Sequence, residues 1–199
     1  EIADQSITTD EMKNSLIDQN IILLSPSEWT DNAVSNMHIA SKLSEKNKVF
    51  YFETIGGRFP KFSEIGRVLI RLFKFVGLKK YSRIKKGLNP KNTNIISPIA
   101  IPIFNTSFFD FINKKLLLWQ LKKVIRKHDL DRLIIWCFSP RWEHIINEIN
   151  YSFLIFHCVD ALTTYDDSIN FNIQLDNIIR KSDLVITPGV LLYNNLLKI

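Results

Sequence analysis

The chain has 199 residues, of which 46% are hydrophobic and 23% charged, the balance of a globular protein that buries one large core. No apolar run is long enough for a membrane-spanning helix. The two cysteines, Cys137 and Cys158, each lie in an apolar run, which predicts buried reduced thiols and does not imply a disulfide framework. We therefore expect a cytoplasmic protein.

The formal net charge of +6 is unevenly placed. Residues 58–91 hold eleven Lys or Arg and one acid, a local charge of +10, so the rest of the chain sums to −4. One segment is basic; the protein as a whole is not. The net charge therefore does not indicate a protein that binds polyanions over its whole surface.

Short apolar runs alternate with stretches of helical period along the chain. Apolar runs predict strands at residues 21–25, 48–53, 133–138, 153–159 and 184–187, of which those at 21–25 and 184–187 are expected to be buried. A further strand is predicted at 94–97. Helices are predicted from Asp31 to about Leu43 and over residues 63–77, 108–127, 141–149 and about 169–181. In the first of these helices Asp31 is the expected N-cap, and the residues expected to face the core are Val34, Met37, Ala40 (or Ile39) and Leu43.

This alternation predicts an α/β fold, a doubly wound and mostly parallel six-stranded Rossmann-like sheet. Residues 1–20 are polar and are expected to form an appendage, with residues 21–199 forming the domain. Ligands of such sheets bind at the carboxyl ends of the strands. Asp160 and Thr187 follow two predicted strands, so both lie where chemistry is expected.

Several common nucleotide sites and one catalytic motif are excluded. The loop after the first strand reads SPSEW and has no glycine, whereas a dinucleotide site needs G-x-G-x-x-G there for close backbone approach to the pyrophosphate. A P-loop and a G-x-S-x-G nucleophile elbow are also absent from the sequence. The four histidines, at positions 38, 128, 144 and 157, lack metal-ligand spacing.

Six segments in chain order carry a family resemblance. They read SPSEW (25–29), MHIASKL (37–43), VFYFE (49–53), IWCFSP (135–140), FHCVD (156–160) and KSDLVIT (181–187). Together they resemble the N-terminal domain of GT-B glycosyltransferases of the bacterial teichuronic-acid, capsule and exopolysaccharide type. The resemblance covers about residues 21–197. The order and spacing of the six motifs carry the likeness.

The resemblance implies transfer of a sugar from a nucleotide-sugar to a lipid-linked or polysaccharide acceptor, with no metal and no further cofactor. The family has two Rossmann-like domains, and the active site lies between them. We expect this chain to be the first, acceptor-side domain, with the C-terminal donor domain absent from it. The isolated domain is then not a competent transferase.

The resemblance also implies roles for individual residues. The loop after the first strand would face the donor, and Ser139 follows the strand after which several relatives carry a histidine. Asp160 and His157 are the catalytic candidates, because a carboxylate or imidazole at a strand end can accept a hydroxyl proton. The substrate-binding candidates are Ser27, Trp29, Asn32, His38, Ser139 and Trp142.

Each of these roles has a structural alternative. Asp160 can cap the loop that follows it. His38 and His157 can be histidines packed between layers, and Trp29 and Trp142 can be packing residues rather than platforms for a sugar. A different sugar-nucleotide enzyme of similar fold, such as an epimerase, and a non-catalytic Rossmann-like module remain alternative functions.

The basic segment has three interpretations. It can be a solvated amphipathic helix with a lysine-rich loop, a surface that docks on an anionic membrane, or a nucleic-acid site. The aromatics of this segment fall on the apolar helix face and no nucleic-acid module is visible, which argues against the third. Membrane docking predicts peripheral association with the inner face of the cell membrane through Arg67, Arg71, Lys74, Lys79, Lys80, Arg83, Lys85 and Lys86.

Overall fold

The computed structural model of the protein describes residues 16–30, 33–53, 93–101, 107–159 and 169–196. The strands are β1 (Asn20–Leu24), β2 (Lys48–Phe52), β3 (Thr93–Ile96), β4 (Ile134–Cys137), β5 (Phe153–His157) and β6 (Leu184–Ile186). The helices are α1 (Ser35–Leu43), α2 (Ser107–His128), α3 (Glu143–Ile146), α4 (Ile169–Lys181) and α5 (Val190–Leu196). A 3₁₀ turn, Pro140–Trp142, leads into α3.

The strands form one six-stranded sheet in the order β3-β2-β1-β4-β5-β6, with every pair parallel. The prediction of a Rossmann-like α/β sheet is confirmed. The chain runs outward from β1 to β3, crosses over through α2, and runs outward again from β4 to β6. The strand order therefore reverses between β1 and β4, the point at which open parallel sheets bind ligands.

Helices cover both faces of the sheet. Alternate residues of each strand point to opposite faces, and on each face they pack with helix residues in a separate hydrophobic cluster. The first cluster joins Ile21, Leu23 and Tyr51 to Met37 and Ala40 of α1, and we call its side the front. The second cluster, on the back, includes residues of α2, α3 and α4, among them Leu121, Ile145 and Leu175. A central strand such as β1, wholly buried from Ile21 to Leu24, gains about 1.5–3 kcal/mol from each large apolar side chain.

The start of the first helix differs from the prediction. Val34 is the N-cap of α1 and makes no side-chain cap hydrogen bond, and its side chain is 45% exposed. The predicted cap, Asp31, lies outside the described residues. Because the helix begins at Ser35, the first side chain that it turns inward is the polar Asn36, followed by Met37 and Ala40.

Two further elements differ from expectation. The helix predicted over residues 141–149 is a 3₁₀ turn followed by the short α3, which ends at Ile146. The run at 184–187 was expected to be buried, but β6 is the edge strand of the sheet and Leu184 is 44% exposed. Its apolar composition gave the right secondary structure and the wrong burial, since an edge strand has a neighbour on only one side.

Candidate functional site at the carboxyl edge of the sheet

Six residues form a row along the carboxyl edge of the sheet, and each lies at the end of a strand or just after it. Backbone hydrogen bonds extend the ladder past the strand ends, with Ser25 N donating to Phe52 O (3.0 Å), Glu53 N to Ile96 O (2.9 Å) and Phe138 N to Leu24 O (3.1 Å). Because the register is continuous, the members of this row share the front face of the sheet. In strand order from β3 to β6 they are Ser97, Glu53, Ser25, Phe138, His157 and Ile186.

The row divides at the switch point between β1 and β4. The side chains that follow β3, β2 and β1 are a hydroxyl, a carboxylate and a hydroxyl. Those of β4, β5 and β6 are a phenyl ring, an imidazole and a branched alkyl group. We call these the polar half and the aromatic half of the edge.

A hydrogen-bonded cluster in the polar half fixes the loop after β1. Asn36 Nδ2 lies 2.6 Å from Ser25 Oγ, 2.9 Å from Ser27 Oγ and 3.1 Å from Tyr51 Oη. Ser25 Oγ also accepts from Ser27 N at 3.0 Å and lies 2.6 Å from Tyr51 Oη. Asn36 has two amide hydrogens for three oxygens, so the hydroxyl groups must complete the network among themselves and with Ser27 O.

This cluster explains how the loop turns without a glycine. Ser25 accepts a hydrogen bond from the backbone two residues on, which closes a serine turn around Pro26. Tyr51 reaches the loop because it lies one row deeper on the same face, and Asn36 reaches it from the first turn of α1. Side-chain hydrogen bonds thus take the place of the backbone freedom that glycine supplies in dinucleotide-binding loops.

The carboxylate of Glu53 ties together the loops after three strands. Its side chain is buried, with 3% exposed, yet both oxygens are hydrogen bonded. Oε1 accepts from the backbone N of Trp29 at 2.8 Å, and Oε2 accepts from the hydroxyl of Ser97. Such charge-assisted bonds offset the cost of burying the carboxylate. The ring of Trp29 packs edge-on against Tyr51, 4.8 Å between centroids, which closes the loop over the sheet.

The environment keeps Tyr51 protonated. Burial raises the pKa of its phenol above the ordinary value, and the charge of Glu53 raises it further, while the hydrogen bonds to Ser25 and Ser27 act in the opposite direction. At neutral pH the phenol is therefore a hydrogen-bond donor to the serine oxygens, rather than a phenolate.

In the aromatic half, His157 is enclosed by rings. It stacks on Phe138 with 5.0 Å between centroids, and its Nδ1 accepts from Trp136 Nε1 at 3.4 Å. Burial lowers the pKa of the imidazole, so it is neutral at pH 7. With Nδ1 as the acceptor, the proton of the neutral ring is assigned to Nε2. Nε2 is then a donor at the carboxyl edge.

The other predicted site residues fall in different places. The hydrogen-bonded residues that hold the loop after β1, which we call the clasp, are Ser25, Asn36, Tyr51 and Glu53. Ser27 and Trp29 lie in this loop, and Trp29 is 2% exposed. Ser139 follows β4 at the switch point and is half-buried; its carbonyl oxygen accepts from the thiol of Cys137 at 3.1 Å and from Trp142 N at 3.2 Å. Trp142 is 6% exposed in the back cluster, as its packing interpretation expects, and His38 is exposed on α1 rather than packed between layers.

The remaining predicted residues lie outside the described part of the chain. They are Asn32, Asp160 and the eight cations of the basic segment, Arg67, Arg71, Lys74, Lys79, Lys80, Arg83, Lys85 and Lys86. Their roles stay predictions. None of the described helices combines the length and apolarity that crossing a membrane requires.

Sequence reasoning missed the residues that build the clasp, although part of the signal was present. Tyr51 and Glu53 alternate with apolar residues at the end of an otherwise apolar strand, which is the period-2 pattern of one face. Tyr51 and Glu53 can be recognised as site residues only when Ser25 and Ser97 are known to lie beside Glu53 in the neighbouring strands. Strand register is a property of the folded sheet and cannot be read from the sequence. Asn36 was not recognised because the helix was predicted to follow an N-cap at Asp31, whereas it begins at Ser35.

Both cysteines are buried and neither forms a disulfide, as predicted. Burial raises the pKa of the Cys137 thiol to about 12, so the reactive thiolate is not populated at neutral pH. This thiol is a packing group and donates weakly to Ser139 O.

Two surface clefts among the described residues lie away from the carboxyl edge. One, of about 640 Å³, is polar and lies at the opposite end of the sheet, where residues 18–20, 45–48, 93 and 94 meet. The other, of about 550 Å³, lies between α2 and residues 148–150.

Neither a scan against models of known protein families nor a search of curated proteins finds a match to this chain.

Proposed function

We propose that the chain is the acceptor-side domain of a GT-B glycosyltransferase, which moves a sugar from a nucleotide-sugar to a lipid-linked or polysaccharide acceptor in the synthesis of a bacterial surface polysaccharide. The observation that carries the proposal is the carboxyl edge itself. Its polar loop and its imidazole flank the switch point between β1 and β4, where parallel sheets bind ligands. The order of the six sequence motifs supports the same family.

In this proposal the polar half holds the donor-facing loop in place. Glu53 and the Ser25–Asn36–Tyr51 cluster fix residues 25–29 before substrate arrives. Ser27 Oγ already accepts from Asn36, which leaves its hydroxyl hydrogen to donate to a phosphate or sugar oxygen. A loop that is rigid beforehand loses little conformational freedom on binding, and this improves affinity without new contacts.

The aromatic half supplies the groups near the reacting bond. His157 has Nδ1 engaged by Trp136, so it acts through Nε2–H as a donor to an oxygen of the substrate. Proton removal from the acceptor hydroxyl is then assigned to Asp160, three residues further on. The loss of that proton makes the hydroxyl oxygen a better nucleophile toward the anomeric carbon, and the nucleoside diphosphate leaves with the bonding electrons.

The test is turnover of the protein as its gene encodes it, with a panel of nucleotide-sugars and glycan acceptors. We expect Asp160→Asn to reduce kcat by about 100-fold or more, the usual contribution of a general base. Asp110→Asn, an exposed carboxylate on α2, is the matched control and should leave kcat unchanged.

Other outcomes identify other functions. Full activity of Asp160→Asn would discard that residue as the base. Interconversion of nucleotide-sugars without any acceptor would make the protein an epimerase-like enzyme. A protein that binds no nucleotide-sugar at all would be the non-catalytic module.

A further inference from the structure

The outer face of α2 carries large aromatic side chains that the core does not use. Phe108 is 67% exposed, Phe111 59% and Trp119 42%. Positions 108, 111, 115, 119, 122 and 126 follow the 3.6-residue period, so they form one stripe along about 27 Å of helix. The opposite side of α2 packs through Leu117, Leu118 and Leu121. Exposed aromatics aligned in this way mark a binding surface.

The same stripe is cationic. Lys115, Lys122 and Arg126 lie between and beyond the aromatics, and Lys123 lies 5.0 Å from the centre of the Trp119 ring. Lys115 also lies 5.7 Å from the centre of the Phe111 ring. The single acid of α2, Asp110, falls on the opposite side of the helix. Within the described part of the chain, Lys122, Lys123 and Arg126 form no ion pair.

A cleft of about 550 Å³ runs beside the C-terminal half of the stripe. Its walls are apolar where Leu118, Ile125 and Ile149 meet, and Lys122 and Arg126 stand on its rim. Glu148 also lines this cleft, but its carboxylate is engaged by Lys114 at 2.9 Å and by Lys115 at 3.9 Å. The cleft therefore presents an apolar interior below a cationic rim, which matches an anionic amphiphile.

We propose that the outer face of α2 docks on an anionic lipid surface. Phe108, Phe111 and Trp119 enter the interface between headgroups and acyl chains, and Lys122 and Arg126 bind lipid phosphates. A straight helix lying in the plane of the bilayer brings the whole stripe into contact at once, with aromatics and cations at the depths that each prefers. This surface is formed by residues other than those of the basic segment 58–91, and the proposal stands whether or not the protein is a glycosyltransferase.

Trp119 makes the contact measurable. The chain has four tryptophans, and the other three, Trp29, Trp136 and Trp142, are at most 8% exposed. Quenching of tryptophan fluorescence by brominated lipid therefore reports the position of Trp119. We expect a blue shift and quenching with vesicles of 30% phosphatidylglycerol in phosphatidylcholine, and neither with pure phosphatidylcholine at the same lipid concentration.

Variants separate α2 from other basic surfaces. Lys122→Glu with Arg126→Glu should weaken binding to the anionic vesicles by about 30-fold or more, and Phe108→Ser with Phe111→Ser should abolish the quenching at equal lipid. Lys46→Glu with Lys127→Glu, exposed cations outside the stripe, is the control with the same change of charge and should leave the quenching intact. Circular dichroism verifies that each exposed variant is folded.

Three results would overturn the proposal. Vesicle binding that leaves Trp119 unquenched would place the contact on another surface, such as the basic segment. Equal effects of the control and the stripe variants would reduce the interaction to net charge. A spectral change with soluble acidic peptide or inorganic phosphate, but not with vesicles, would identify a different anionic ligand.

Discussion

The two halves of the carboxyl edge are built on the same register but behave differently. In the polar half, Glu53 and Tyr51 form hydrogen bonds within the protein that hold the loops after β1 and β3. In the aromatic half, His157 stacks on Phe138, and its Nδ1 accepts a hydrogen bond from Trp136. Under the proposed function the polar half positions the site and the aromatic half contacts the substrate, and proximity to the switch point does not distinguish these two roles.

The largest effect on the polar half is expected from Glu53→Gln. A Gln amide keeps both partners only if its oxygen accepts from the Trp29 N–H and its NH₂ group donates to Ser97 Oγ, which requires the Ser97 hydroxyl to turn around. The charge assistance is lost from both bonds. We expect the free energy of unfolding to fall by about 2 kcal/mol, measured by urea denaturation.

The exposed Glu45→Gln is the control for this change. It removes a surface ion pair with Lys42 and should cost less than about 1 kcal/mol. A Glu53 variant as stable as the control would mean that the clasp does not hold the loops.

Tyr51→Phe is expected to have the next largest effect. The change removes the hydroxyl at 2.6 Å from Ser25 Oγ and leaves Asn36 with one acceptor fewer, at a cost of about 1–2 kcal/mol. It also changes the response to alkaline pH. Because the folded-state pKa of Tyr51 is raised, its contribution to stability is present below about pH 10, the unfolded-state value, and is lost as the pH rises through the folded-state pKa.

The variant should therefore lose less stability than the parent protein as the pH rises above about 10, with the remaining slope due in part to Tyr151, whose pKa is also raised by burial. The exposed Tyr193→Phe serves as the comparison. Parallel alkaline curves for Tyr51→Phe and the parent would contradict the environment assigned to this phenol.

The aromatic half should respond at acid pH instead, with the smallest effect. Burial lowers the folded-state pKa of His157 and of His144, while the unfolded-state value is about 6.5. Stability is complete above about pH 6.5 and decreases as the pH falls toward the folded-state values, since the unfolded chain then binds more protons. His157→Gln should make this decrease shallower in urea denaturation between pH 7 and 5, leaving the parts due to His144 and His128, whose pKa values are also lowered.

An unchanged acid slope for His157→Gln would show that the imidazole is solvated. The exposed His38→Gln is the matched substitution on the surface.

The positions of the strands could largely be predicted from the sequence, because continuous apolar runs such as 21–24 and 133–138 are typical of strands in a covered parallel sheet. The edge position of β6 could not be predicted. Leu184 is a residue type typical of a core, and it is exposed because β6 lies at the edge of the sheet. The candidate site was predicted in outline at the strand ends. Glu53 was not predicted as a site residue because its hydrogen-bond partners, Trp29 and Ser97, are 24 and 44 residues away in the sequence. They meet Glu53 only through the parallel register of the sheet.

The central claim is that ligands bind at the carboxyl edge, and the two ends of the same sheet offer its most direct test. The protein, isotopically labelled, is titrated with nucleotide-sugars while backbone amide signals are followed at Ser27 and His157 and, at the opposite polar cleft, at Asn47 and Thr93. The account predicts saturable shifts at Ser27 and His157, with the signals of Asn47 and Thr93 unmoved. Shifts confined to Asn47 and Thr93 would contradict it, and so would the absence of any saturable shift at the carboxyl edge.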